Sequence, residues 1–283
     1  MNNFLAAVLQ YFRRSPKPRE YQPPPVVRSP VTHVETEAAS SKSGASETVV
    51  RKVAVTPVKQ KEYAPTITPP SLKRPLVFDL GGVVLKWNPE EIVEKVFGKS
   101  ATHSVTELTH LIFQSGAEGG DWVLYDKGQL TTAQIISRLS ERTGYAERHF
   151  EQLIEEAAHH LVPIPEMLGM MRALRQRGHP LYFLSNMPEP FASFLLETQD
   201  FFAMFEDGIF SSHVQTVKPE RDIYALASER WGLRTPPIFI DDNQMNVIAS
   251  TTAGWHGILY INQSSLSKDL LSLEILSSES YAA

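Results

Sequence analysis

Four short apolar runs in this sequence each lead into residues that can do chemistry. Asp79 closes the run PLVFD at 75–79, Ser185 and Asn186 follow the run at 181–184, Lys218 and Pro219 lie in the loop after 208–211, and Asp241 and Asp242 follow 238–240. The set is one acid able to attack as a nucleophile, one hydroxyl, one cation and one acid pair. Taken singly, an Asp ending a strand is most often a helix cap or a turn residue. Four such residues from sequence-distant places, each in the loop after its strand, read as an active-site set. The 283 residues include no cysteine, which excludes disulfides, thiolate metal sites and a cysteine nucleophile together. The chemistry falls to carboxylates, hydroxyls, lysines and histidines.

The elements that must position these residues alternate in type. The run 75–79, the pair Gly81-Gly82 and a second apolar run, Val83, Val84 and Leu85, read as strand, tight loop, strand. Asn88 followed by Pro89, Glu90 and Glu91 is a helix start, with Asn as cap, Pro in the first turn and acids at the positive end of the dipole. Helical segments are expected at 92–97, 105–114, 133–142 and 148–160. Beyond Pro165, helices at 166–177, near 191–196, and at 221–231, 246–252 and 266–276 alternate with strands at 181–184, 208–211, 238–240 and 257–261. Strands separated by helices predict a parallel sheet covered on both faces, and ligands of such sheets gather at the carboxyl ends of the strands. All four candidate positions fall on that rim. The expected organisation is an α/β core from 74–87 and 165–283, interrupted by a helical segment over 88–164.

Residues 1–73 differ in composition. They carry 11 Lys or Arg against 5 Asp or Glu, whereas the other 210 residues carry 16 against 27. They also hold half of the 20 prolines and none of the four tryptophans. Such a stretch cannot bury enough apolar surface to offset the entropy of ordering it, and a disordered basic tail is expected. At its start Phe4, Leu5, Val8, Leu9 and Phe12 share one helical face, with Arg13 and Arg14 behind them; this reads either as a membrane-surface or targeting helix or as a plain tethered one. No run reaches the roughly 18 apolar residues that a spanning helix needs. The net charge of −5 does not suit a reader of the phosphate backbone, so no nucleic-acid partner is expected. A soluble, cytoplasmic protein is expected unless the first segment directs it elsewhere; the tail's own partner is left open.

The segments VFDLGGVVL, FLSNMP, TVKPERDIY and FIDDNQMNV, in that order and with a helical insertion between the first two, resemble the haloacid dehalogenase-like (HAD) hydrolase superfamily over about 74–265. The resemblance implies a Rossmann-like core with a helical cap, an aspartyl-enzyme intermediate, a Mg²⁺ ion and a small phosphate ester as substrate. On this likeness Asp79 is the nucleophile, Ser185 the phosphate-binding hydroxyl, and Lys218 the cation paired with nucleophile and phosphate. Asp242, with Asp241 beside it, is the metal-binding acid, the backbone carbonyl of Gly81 a third ligand, and Asn186 and Asn246 orient the phosphate and the lysine. Physical chemistry agrees with these roles. Phosphoryl transfer needs its charge neutralised and its geometry fixed more than it needs covalent help. Mg²⁺ takes one or two carboxylates and keeps waters.

Gly81 departs from the pattern. Most phosphatases that the sequence resembles carry a second Asp two residues after the nucleophile, as general acid and base. Three readings follow: a dehalogenase, an inactive phosphate-binding or regulatory protein acting through its tail, or a phosphatase whose acid comes from elsewhere or whose leaving group needs little help. Dehalogenases need no metal and lack the acid pair, so Asp241-Asp242 favour the third, and the DLGGV form is similar to a branch that includes sugar 1-phosphate phosphatases. Trp122, Tyr125, Asp126 and Lys127, in GDWVLYDKG, either face the site and choose the substrate or form a turn between two helices with Trp122 packed inward. Tyr125 and Asp126 are the first places to look for a displaced proton donor. The histidines read as structural or solvated, and Arg172, Arg175 and Arg177 as the cationic end of a helix.

Overall fold

A computed structural model of the chain describes residues 73–98, 102–113 and 120–277. Apart from Lys73, the tail expected over 1–73 and its amphipathic start lie outside these residues. The core is a five-stranded sheet of β1 (Leu76–Phe78), β2 (Leu181–Ser185), β3 (Asp207–Phe210), β4 (Ile238–Asp241) and β5 (His256–Leu259), all parallel and ordered β3-β2-β1-β4-β5. The α/β fold expected from the sequence is therefore present, with β1 in the middle.

The three central strands are nearly continuous apolar runs, yet they hide an alternation. Leu76 and Phe78 of β1, Leu181 and Phe183 of β2, and Ile238 and Ile240 of β4 pack into one apolar cluster. Val77, Leu184 and Phe239, one residue out of step, pack into a second with Ile223, Tyr224 and Trp255. Both sheet faces are buried at the centre, and that is why β1, β2 and β4 read as apolar runs, whereas the edge strands β3 and β5 begin with Asp207-Gly208 and His256-Gly257.

Between β1 and β2 the chain makes α1 (Pro89–Phe97), α2 (Val105–Phe113), α3 (Asp121–Asp126), α4 (Thr132–Thr143), α5 (Glu147–His160) and α6 (Pro165–Gln176). Asn88 caps α1 by accepting from Glu91 N, as its sequence predicts. Thr131 and Gln134 form a reciprocal capping box on α4. After β2 come α7 (Glu189–Thr198), a 3-10 turn at Asp200–Met204, α8 (Ser211–Val214) behind β3, α9 (Arg221–Arg230), α10 (Gln244–Thr252) and α11 (Gln263–Ser272). Among the described residues, no helix is long and apolar enough to cross a membrane.

Two local expectations are corrected. Residues 83–85 form no strand: Leu80 O accepts from the backbone N–H of Val83, Val84 and Leu85, so the chain coils into a tight turn, and only isolated bridges at Gly81 and Leu85 remain. An all-buried apolar triplet carries no period by which to tell the two apart. The stretch around Trp122 is not a turn but the helix α3, with Trp122 and Tyr125 three residues apart on its buried side.

Candidate active site

The loop after β1 is fixed at its first residue, because Asp79 N donates to Ile240 O of β4 at 2.9 Å. The turn that follows makes opposite demands of its two glycines. Gly82 has φ +78°, and a Cβ there would lie 2.1 Å from Asp242 Oδ2, so a side chain is excluded by conformation and by space. Gly81 is outside the left-handed region, and a Cβ there would meet only the Trp87 side chain, at 3.6 Å.

Lys218 is the hub. Its ammonium lies 2.8 Å from Asp79 Oδ1 and 2.6 Å from Asp241 Oδ2, with the side chain almost wholly buried. Asp79 Oδ1 also accepts from Leu80 N at 2.7 Å. Asp241 is saturated by protein donors: Oδ1 accepts from Asn243 N and Asn246 Nδ2, and Oδ2 from Lys218 and Asn246 Nδ2. Asn246 is held in turn through its backbone, whose carbonyl accepts from the Tyr224 hydroxyl at 3.0 Å. Asn186 clamps the backbone of Lys218 from both sides, its Nδ2 donating to Lys218 O and its Oδ1 accepting from Lys218 N, both at 2.8 Å. Ser185 ends β2, buried, and its hydroxyl has no hydrogen-bond partner among the described residues.

Electrostatics show what this arrangement lacks. Burial pushes the Asp79 carboxyl up to about 8, against the pull of Lys218 and with Asp241 and Asp242 adding to the rise. Asp242 is pushed up to about 6, by burial and then by Asp241, with Lys218 opposing. Burial alone would lower Lys218, but Asp241 and Asp79 more than offset it and hold the ammonium above its usual range. Asp79, Asp241 and Asp242 each offer a carboxylate oxygen within 4.8 Å of the others. With all three acids ionised, the single ammonium would leave two negative charges, which a divalent cation would balance. Hard oxygen donors suit Mg²⁺. Since both Asp241 oxygens are already engaged, Asp79 and the exposed Asp242 are the acids with oxygens to spare.

The positions singled out from the sequence on β1, β2, β4 and the loop beyond β3 converge here. The expected substrate-facing pair does not: Tyr125 is 1% exposed, with its hydroxyl 3.0 Å from Thr132 Oγ1, and Trp122 packs edge-on against Phe113 inside the aromatic core. Their helical spacing turns both inward. Two contributors were not singled out from the sequence. Trp87 stands beside Gly81, and Ser211 accepts from Met187 N at 2.8 Å while donating to Asp126 O at 2.6 Å.

A sequence-family model for haloacid dehalogenase-like hydrolases matches residues 75–254. A sesquiterpene phosphatase, astK, from Aspergillus oryzae is 26% identical over 184 residues, 64% of this chain and 87% of the relative. Phosphoglycolate phosphatase of Escherichia coli (strain K12) is 31% identical over 109 residues, which span 38% of this chain and only 42% of that enzyme. Among solved structures, a HAD family enzyme from Bacteroides thetaiotaomicron in complex with magnesium and inorganic phosphate superposes with a TM-score of 0.54 at 22% identity, over 69% of this chain and 98% of the other. The L-2-haloacid dehalogenase of Xanthobacter autotrophicus gives 0.51 at 18% identity, over 73% and 85%. At these identities the structural likenesses speak for the fold alone. With the family match running from β1 through the end of α10 and so taking in every strand that carries a site residue, the chain belongs to the haloacid dehalogenase-like hydrolases.

Proposed function

We propose that this protein is a magnesium-dependent phosphatase that hydrolyses a small phosphorylated metabolite through an aspartyl phosphate on Asp79. The observation that carries the reading is the buried Lys218 ammonium between Asp79 and Asp241, within a cluster of three acids whose full ionisation a divalent cation would balance. Asp79 attacks phosphorus, and Lys218 orients it while meeting the charge of the phosphoryl oxygens. Ser185 offers its hydroxyl to a phosphoryl oxygen. Asn186 and Asn246 act indirectly, the first by fixing the backbone of Lys218 and the second by holding Asp241. Asp79, Asp242 and the Gly81 carbonyl would hold Mg²⁺, which when bound supplies charge neutralisation and alignment of the phosphate. The core is then 74–87 with 165–283, and 88–164 is the cap.

Two substrate classes are in play. The DLGGV motif points to sugar phosphates, 1-phosphates first. The indole of Trp87, placed beside Gly81, gives the site an apolar wall that suits a hydrocarbon chain, and the relative from Aspergillus oryzae bears the name of a sesquiterpene phosphatase. The test is a panel of sugar phosphates, small acid phosphates and prenyl or terpenyl phosphates, assayed with Mg²⁺ and with EDTA. Turnover that EDTA abolishes is expected. Silence across the panel would favour a phosphate-binding protein without turnover, and turnover indifferent to EDTA would favour dehalogenase-like chemistry.

A further inference from the structure

The chain has no carboxyl at Gly81, yet another carboxyl lies near the site on a different element. Asp126 is the last residue of α3. The two charged groups whose fields it feels are the Lys218 ammonium and the Asp79 carboxylate. Its own carboxylate has no hydrogen-bond or ion-pair partner among the described residues. Asp126 is half-buried, and its neighbours in the sequence are pinned in place. Ser211 Oγ donates to Asp126 O and accepts from Met187 N, the residue after Asn186, which clamps Lys218. On the other side Lys127 Nζ reaches Glu220, two residues past Lys218, at 2.5 Å. The backbone around Asp126 is thus tied to both loops that shape the phosphate site, while its side chain is left uncommitted.

We propose that Asp126 is the proton donor and acceptor that Gly81 cannot be. This rests on the phosphatase reading. In the first step Asp79 forms a bond to phosphorus, the bond from phosphorus to the ester oxygen breaks, and that oxygen leaves with the Asp126 proton. In the second step the Asp126 carboxylate takes a proton from water as the water oxygen attacks phosphorus. The bond from phosphorus to Asp79 breaks, releasing inorganic phosphate and restoring the Asp126 carboxyl. Burial holds this carboxyl well above the usual carboxylate range, with Lys218 opposing and Asp79 adding, the direction that a proton donor needs.

Proton donation matters in proportion to how poor the leaving group is, and that is what the experiment reads. Single-turnover rates are measured with Mg²⁺ for aryl phosphates of graded leaving-group acidity and for one alkyl phosphate, on the wild type and on Asp126→Asn. The wild type is expected to depend weakly on leaving group. The variant should lose roughly 10²- to 10⁴-fold on the alkyl ester and only a few-fold on the most acidic aryl ester. Gly81→Asp in the Asp126→Asn background should restore much of the alkyl rate, since a Cβ at Gly81 meets nothing closer than Trp87. An equal loss across the series, or none, would overturn the assignment. So would a steep dependence in the wild type, a result that needs no variant to fold. A wild type that cleaves aryl phosphates steeply refutes only the role of Asp126, whereas one that cleaves none removes the phosphatase reading and this proposal with it.

Discussion

Replacing Lys218 by Met keeps a side chain of similar length and removes the charge between two carboxylates. The ammonium lies 2.8 Å from Asp79 and 2.6 Å from Asp241, whose side chains are 12% and 0% exposed. Breaking a buried pair by removing one partner costs about 3–5 kcal/mol. Titration sets a ceiling on that cost, because a stranded carboxylate can take a proton instead, at about 1.4 kcal/mol for each pH unit above an ordinary Asp value near 3.9. The ceiling is about 4.2 kcal/mol at pH 7 and about 1.5 kcal/mol at pH 5. Asp79, already pushed up to about 8, holds its proton across this window in metal-free wild type and variant alike, so its contribution cancels. Lys218, held above its usual range, stays charged there, and its stabilisation is fully present. What remains are the carboxylates that lose their cation, and Asp242, pushed up to about 6 against the pull of Lys218, rises further without it, so the folded variant holds a proton that the unfolded chain does not. The stability deficit of Lys218→Met should therefore shrink from pH 7 to pH 5, by up to about 1.4 kcal/mol per pH unit for each extra proton that the folded variant holds. Urea unfolding of both proteins in EDTA at the two pH values measures it. A deficit that ignores pH, or one below about 1 kcal/mol at pH 7, would refute the claim that Lys218 compensates buried charge.

Asp79→Asn should lose essentially all turnover and yet unfold, in EDTA at pH 7, no earlier than the wild type. The folded wild type must take up a proton there that the amide does not need; marked destabilisation would contradict this. Mg²⁺ at about 100 times its dissociation constant should add about 2.7 kcal/mol of stability, and Asp242→Ala should abolish that gain in the same melts. Gly82→Ala should cost about 1–2 kcal/mol from backbone conformation and weaken Mg²⁺ binding by displacing Asp242, whereas Gly81→Ala should melt with the wild type. A chain starting at Lys73 should keep its catalytic constants, and loss of turnover in that chain would show the first 72 residues touching the site.

The sequence made the strand ends legible because parallel topology converts four distant loops into one rim, and three of those loops, those of Asp79, Ser185 and Asp241, carry a polar residue directly at the end of an apolar run, Lys218 lying further along the fourth. Asp79, Ser185, Lys218 and Asp241 could be singled out without any knowledge of side-chain direction. The helical insertion was harder to read. Trp122 and Tyr125 look like specificity residues in a polar stretch, and only the three-residue spacing of a short helix turns them inward. Asp126, one residue further, is carried about 100° round the helix by the same geometry and is only half-buried. Ser211 ends the expected strand 208–211 as a polar residue on the same rim, but its role could not be read, since it depends on a contact across 85 residues of sequence. Nor did the motif show that Asp241 is the saturated acid of its pair and Asp242 the one with oxygens to spare.

The order of the strands sets which part of the site fails first under stress. Asp79, Ser185 and Asp241 ride on β1, β2 and β4, each paired on both sides, so moving any of them means opening two ladders. Sheets fray from their edges, and here the edges are β3 and β5. β5 carries no site residue, but the chain reaches Lys218 only after passing along β3 and α8. Partial opening at that edge would withdraw the cation while the nucleophile's strand stayed folded, leaving three carboxylates facing one another. Inactivation by heat or denaturant should then precede loss of the sheet, and the lost charge, rather than a displaced nucleophile, would be its cause.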